Sequence, residues 1–170
     1  MLIGQEEAGG RAARGGDGLY EARRVFQGLP GATRDEVLAE LALRLAHEGA
    51  VRDPAELVRR LVERERLGCT GLGGGIAIPH CKLRDIGEVV VAVASTGRPI
   101  DFGAADGLPV TLIFLVVSPA DAAAPHLQAL ARISRLLRVP GLVEGLRAAR
   151  SSLELFGALQ GAETGLAVQS

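Results

Sequence analysis

Residues Val110 to Val117 form an almost unbroken run of aliphatic and aromatic side chains, with Thr111 the one exception. The run is far too short to span a bilayer. It suits a strand buried on both faces, which lies inside a sheet covered on both sides. The chain must therefore supply helices to cover it, and the pattern elsewhere supplies them.

Thr33 and Glu36 form a capping box ahead of the stripe Val37, Leu38, Leu41, Ala42 and Leu45, and Gly49 closes this helix. A second helix starts at Asp53-Pro54, an N-cap followed by proline at the first helical position. Its stripe is Leu57, Val58, Leu61 and Val62, and Gly68 ends it. A glycine-rich stretch, Gly71 to Gly75, leads into an extended segment at Ile76–Cys81, where Pro79 biases Ile78 away from helix. Glu88 to Ser95 reads as a valine-rich strand, and Asp101-Phe102-Gly103 and Asp106-Gly107 as loops. A third helix is expected from near Pro125 to about Val139, with Leu127, Leu130, Ala131, Ser134 and Leu137 facing inward. A short helix follows Gly141, and Ser151 with Glu154 caps a last one that carries Leu155 and Leu159.

Helices alternating with strands predict one α/β domain, a mixed β-sheet with helices on both faces, over residues 25–160. A short first strand is expected near Arg24–Gln27. Residues 1–24 are rich in glycine and lack apolar period, so they read as a flexible N-terminal tail, and residues 161–170 as a frayed C-terminus.

The formal net charge is −1, and arginines are interleaved with acidic residues, which argues against a nucleic-acid binder. Neither a membrane-embedded segment nor a secretory signal is visible. Cys69 and Cys81 are too few for a disulfide framework and are not in a Cys-x-x-Cys pair, so a cytoplasmic protein is expected. Lys82 is the only lysine, two residues after His80.

The segment Gly73-Gly74-Gly75-Ile76-Ala77-Ile78-Pro79-His80 carries the most chemistry. A glycine turn lets backbone amides approach an anion, so Gly73, Gly74 and Gly75 are expected to support a phosphate. Imidazole is a neutral nucleophile near pH 7 and can carry a phosphoryl group. Arg64, near the end of the second helix, is placed to supply a guanidinium fork to phosphoryl oxygens. Glu65 falls near the centre of an apolar stripe. It reads as a residue that holds the following loop, with loop amides or Arg64 as its partners. His126, in the first turn of the third helix, shares a face with Leu130, Ile133 and Leu137 and points toward the sheet. A helix start beside a histidine favours an anion. His47 shows nothing beyond a surface or C-terminal role.

The spacing Glu65, Leu72, Gly73, Ile76, Ala77, Ile78, Pro79, His80 resembles the signature of a known family. This is the enzyme IIA domain of the fructose, mannitol and nitrogen-related type (type 2) of the bacterial phosphoenolpyruvate-dependent phosphotransferase system. The similarity extends from about Phe26 to Leu159. It takes in Arg64-Glu65-Arg66-Leu67-Gly68, Pro99-Ile100-Asp101-Phe102, Asp106-Gly107-Leu108-Pro109-Val110 and His126-Leu127-Gln128-Ala129-Leu130-Ala131. The resemblance implies that His80 is the phosphorylated histidine, with Arg64 and His126 flanking it. It also implies that the histidine-containing phosphocarrier protein is the donor, and that no metal or cofactor is used. A IIB domain or a regulatory target protein would be the acceptor. With no IIB or IIC domain in the chain, a stand-alone nitrogen-type regulatory role is favoured over sugar uptake through a separate IIB protein.

Cys81 stands where the family usually has glycine, Cys69 where it has serine, and Gly74 where asparagine is frequent. A thiol beside the acceptor is an expected oxidation liability. A metal site built from Cys69, His80, Cys81 and His126 is the competing reading, weakened by the adjacent His80-Cys81 pair. An interaction module with an inactive histidine is another.

Overall fold

The computed structural model describes residues 18–168, so most of the expected tail lies outside the described residues. The elements run β1 (Val25–Leu29), α1 (Arg34–His47), α2 (Pro54–Leu67), β2 (Gly71–Gly73), β3 (Ile76–Ala77), β4 (His80–Leu83), β5 (Val90–Ile100), β6 (Val110–Pro119), α3 (Ala123–Leu136), α4 (Leu142–Ala148) and α5 (Ser152–Val168). The architecture is the expected α/β domain, a mixed sheet with helices on both faces.

β6 is the axis of the sheet. It pairs antiparallel with β5 on one edge and parallel with β3 and then β4 on the other. β1 lies parallel outside β5, and β2 antiparallel outside β3. Strand alternation sorts the core into two layers. Ile113, Leu115 and Val117 of β6, with Ala77, Cys81 and Leu83, pack under α1 and α2. Leu112, Phe114 and Val116, with Ile76 and Ile78, pack under α3, α4 and α5. The two-sided apolar run is thus divided evenly between two helical layers, as its composition demands.

The caps form as the residues predict. Thr33 Oγ1 accepts from Glu36 N at 3.2 Å, Asp53 Oδ1 from Glu56 N at 3.0 Å, and Ser151 Oγ from Glu154 N at 3.1 Å.

Three boundaries and the phase of one helix differ from expectation. β5 continues to Ile100, because a register shift after Ser95 restores pairing at Ile100 with Val110. Gly97 lies within that irregular stretch, where an added Cβ would stand 3.1 Å from the Leu29 carbonyl of β1.

The buried stripe of α3 is His126, Ala129, Ile133 and Leu136. Leu127 is 65% exposed, and Ala131 and Ser134 face solvent. The expected stripe is therefore rotated by about one residue. The leucines attract a stripe reading, yet the helix turns the smaller Ala129 and the β-branched Ile133 onto the sheet.

The chain before residue 25 is packed where it is described. Tyr20 is buried edge-on to Phe156, with ring centroids 6.3 Å apart. The buried Arg24 donates from Nε to Glu48 Oε1 at 2.6 Å. Burial and the Glu163 carboxylate push the Tyr20 phenol far above its usual range. The C-terminal end is likewise helical to Val168. Ala162 is buried, and Glu163 accepts from Arg132 at 3.2 Å and from the Leu19 amide at 3.3 Å. These tertiary contacts outweigh the helix-weakening glycines Gly157, Gly161 and Gly165. Among the described residues no helix is long and apolar enough to cross a membrane.

Candidate active site

The layer assignment decides where the histidines meet. His80 continues the alternation of Ile76 and Ile78, so it stands on the α3 side of the sheet. β4 pairs in register with β6, placing His80 opposite Val116 and Lys82 opposite Ser118. Beyond Pro119 the chain turns directly into α3, whose first turn carries His126 back over the same strand ends. The two imidazoles lie with ring centroids 5.5 Å apart, tilted by 55°.

His80 is half-buried, and its Nδ1 lies 2.8 Å from the Ile78 carbonyl oxygen. A carbonyl only accepts, so Nδ1 carries the ring proton and Nε2 presents its lone pair. The carbonyl that orients it is itself anchored. The Ile78 amide donates to the Thr70 carbonyl at 3.0 Å, and the Pro79 carbonyl accepts from Val116 at 3.0 Å. Thr70 in turn donates its amide at 3.3 Å, and its hydroxyl, to the buried carboxylate of Glu65. A continuous chain of hydrogen bonds therefore runs from Glu65 on α2 through Thr70 and Ile78, which flank β2 and β3, to the His80 imidazole. Glu65 is the loop-holding residue expected, with Thr70 and not Arg64 as its partner.

His126 is 8% exposed, and its Nδ1 lies 2.7 Å from Ser118 Oγ. Burial, then the neighbouring His80 and Lys82, hold its pKa below the ordinary histidine value. It is therefore a neutral imidazole at pH 7. Arg64 lies near the end of α2, where Nη1 donates to the Gly68 carbonyl at 3.0 Å. In this structure it is folded onto its own helix end and not onto the histidines.

The glycine turn is elsewhere. Gly75 lies beside Thr111, five residues of parallel strand from the Val116 rung that holds His80, which is about 16 Å at roughly 3.3 Å per residue. The Gly74 amide donates to Asp106 Oδ2 at 2.7 Å, and the Gly74 carbonyl accepts from Arg147. Gly73 and Gly75 have φ of 89° and 78°, and an added Cβ would stand 2.9 Å from Asp106 and 2.8 Å from Arg147. Gly73, Gly74 and Gly75 therefore make a hairpin turn clamped by two side chains, and the expectation that they cradle phosphate at His80 is corrected. An extended chain carries the end of the segment too far from its beginning.

The thiols also separate from the imidazoles. Cys81 points to the opposite face of the sheet, into the layer under α1 and α2, where burial pushes its pKa up to about 12. A protonated, buried thiol is neither a ready metal ligand nor an easily oxidised group, so the expected liability beside His80 is not realised. Cys69 donates to the Phe102 carbonyl at 3.0 Å. Among the described residues no three His, Cys, Asp or Glu side chains are grouped to share an ion.

Sequence reading missed Ser118, Thr70 and Arg147. Ser118 was one residue past the expected strand end. Extending the alternation of Leu112, Phe114 and Val116 by one step would have placed it on the His80 side.

The family model described as "Phosphoenolpyruvate-dependent sugar phosphotransferase system, EIIA 2" matches residues 19–161. A Bradyrhizobium diazoefficiens protein named nitrogen regulatory protein is 41% identical over 141 residues, covering 83% of this chain and 92% of its own length. A Haloferax volcanii protein named PTS system fructose-specific EIIA component is 36% identical over 122 residues, covering 72% of this chain and 79% of its own. Among solved structures, nitrogen regulatory protein IIA-Ntr from Neisseria meningitidis aligns with a TM-score of 0.75 and 29% identity, over 83% of this chain and 96% of that one.

Proposed function

This chain belongs to the type-2 EIIA family of the phosphoenolpyruvate-dependent sugar phosphotransferase system, and on that premise we propose that His80 Nε2 is its phosphoryl acceptor. The observation that carries the reading is the 2.8 Å contact from His80 Nδ1 to the Ile78 carbonyl. It fixes the proton on Nδ1 and leaves Nε2 as the nucleophile, while the second imidazole stands 5.5 Å away.

In the proposed step, the Nε2 lone pair attacks the phosphorus of a phosphohistidine on the donor, a histidine-containing phosphocarrier protein. The donor's nitrogen–phosphorus bond breaks, and the donor imidazole keeps the electron pair. The bond at His80 Nε2 forms, and the His80 ring becomes a cation because Nδ1 keeps its proton. The Ile78 carbonyl then accepts a stronger, charge-assisted hydrogen bond. The transferring group spreads negative charge over three oxygens, so catalysis is mostly positioning and hydrogen-bond donation. His126 is the donor nearest the reacting nitrogen, Lys82 adds positive charge on the same face, and Arg64 reaches the oxygens by leaving the Gly68 carbonyl. Reversal of the step passes the group onward.

The nitrogen-regulatory branch is the reading supported by the 41% identical relative of that name. In it, a cytoplasmic chain reports its phosphorylation state to a regulatory target protein. The fructose-specific name of the Haloferax relative favours, as the second reading, donation to a IIB domain in sugar uptake.

Incubation with phosphoenolpyruvate carrying a radiolabelled phosphoryl group, enzyme I and the carrier tests the central claim. The wild-type chain is expected to take up acid-labile label, and His80→Ala none. Label retained in His80→Ala defeats the assignment. Adding a fructose or mannitol IIB protein separates the branches: rapid loss of label to IIB supports uptake, and retention supports regulation.

A further inference from the structure

Ser118 is a fully buried hydroxyl on a strand face otherwise made of Leu112, Phe114 and Val116. Burying a hydroxyl among aliphatic groups is unfavourable unless it is hydrogen-bonded. Its side-chain hydrogen bond is to His126 Nδ1, at 2.7 Å. The apolar layer would be served as well by alanine or valine, so the hydroxyl is there for the imidazole.

The direction of that bond decides what His126 can do. A neutral imidazole holds one ring proton. If Nδ1 donated to Ser118, His126 Nε2 would carry a lone pair, and that lone pair would repel both the His80 nucleophile and the oxygens of an arriving phosphoryl group. If Ser118 donates its O–H into Nδ1, the proton sits on His126 Nε2 and is available to those oxygens. We propose that Ser118 is a positioning residue that holds His126 in the Nε2–H form, so that the buried ring donates a hydrogen bond to the phosphoryl group on His80. The inference rests on reading His80 as the acceptor. His80 and His126 are then set as opposites by their Nδ1 partners: a carbonyl makes the first a nucleophile, and a hydroxyl makes the second a donor.

Nitrogen NMR of the unphosphorylated, histidine-labelled chain tests the tautomer without any phosphotransfer. The expected spectrum shows His126 protonated on Nε2 and unprotonated on Nδ1, and His80 the reverse. Ser118→Ala is expected to give His126 a mixture of both forms and to slow labelling of His80 by about 3- to 10-fold, the effect of one neutral hydrogen bond. Ser118→Thr, which keeps the hydroxyl, is expected to restore both. A wild-type His126 protonated on Nδ1 overturns the proposal, as does an unchanged His126 spectrum in Ser118→Ala. The spectrum of the wild-type chain answers the question even if Ser118→Ala fails to fold. Absence of label in the wild-type chain refutes the acceptor assignment instead, and the tautomer remains separately readable.

Discussion

The two ends of β6 use the same raw materials, short loops and polar side chains, in opposite ways. At its start, beside Val110 and Thr111, the glycine turn is closed on itself. The Gly74 amide is taken by Asp106, its carbonyl by Arg147, and the Gly75 carbonyl by the Thr111 and Leu112 amides. At the far end, each imidazole has its Nδ1 tied down, by Ile78 or Ser118, and the proposed reading gives the second nitrogen of each to the phosphoryl group. The lesson is that a loop rich in donors is not a binding site when the fold has already occupied those donors. Chemistry collects where hydrogen-bonding capacity is held in place but left unfilled.

The largest expected departure from wild type, after removal of His80 itself, is His126→Ala. On the proposed reading of His80 it removes the donor nearest the transferring group, and loss of one such preorganised donor costs about 100-fold in rate. His126 also makes stability depend on pH. Its folded pKa lies below the unfolded value, so on acidification the unfolded chain takes up this proton first. Stability from this group is therefore full above about pH 6.5 and falls as pH drops below that value toward the lowered native pKa. Denaturation at pH 7.5 and pH 5.5 is expected to show a smaller acid loss in His126→Gln, whose amide does not titrate. Equal acid losses in the two proteins would place the titration elsewhere.

How much of this was legible beforehand follows from how local each cause is. Caps and amphipathic stripes are set by neighbours in sequence, and α1 and α2 came out as read from Thr33, Asp53 and their leucines. The two-layer sheet was legible from Val110–Val117, because an apolar run on both faces allows few other arrangements. His80 was legible from its spacing to Glu65 and Pro79. The phase of α3 was not, because Leu127 and Ala129 compete for the buried face, and the packing of the whole layer decides between them. The glycine turn misled for a related reason. Its capacity to bind an anion is local, whereas its occupation by Asp106 and Arg147 depends on residues 32 and 73 positions away.

Glu65 sharpens the contrast by an intermediate effect. Glu65→Ala leaves the Thr70 amide and hydroxyl buried without an acceptor, and each such orphaned group costs about 1–3 kcal/mol. A stability loss of roughly 2 kcal/mol or more is expected in urea unfolding. His80 labelling should fall by less than in His126→Ala, because the nucleophile and its carbonyl partner remain. Glu65→Gln keeps one acceptor oxygen and should recover part of the stability. A labelling loss as deep as that of His126→Ala, in chain that remains folded, would mean that Glu65 acts on the reaction directly.

The smallest effect is expected at the other end of the strand, and it decides whether the comparison stands. The Asp106 carboxylate is held below its usual pKa by the Gly74 and Leu108 amides it accepts from, so it stays ionised and keeps the turn closed near neutral pH. Asp106→Ala frees the Gly74 amide to water, which replaces the lost bond at an exposed site. The thermal midpoint should drop only slightly, and the labelling rate of His80 should match wild type. If the glycine turn instead served the phosphoryl group, Asp106→Ala would uncover an anion-seeking amide and change the rate. A rate change in either direction, at unchanged stability, would bring the two ends of β6 into one site and undo the separation that the 16 Å estimate draws.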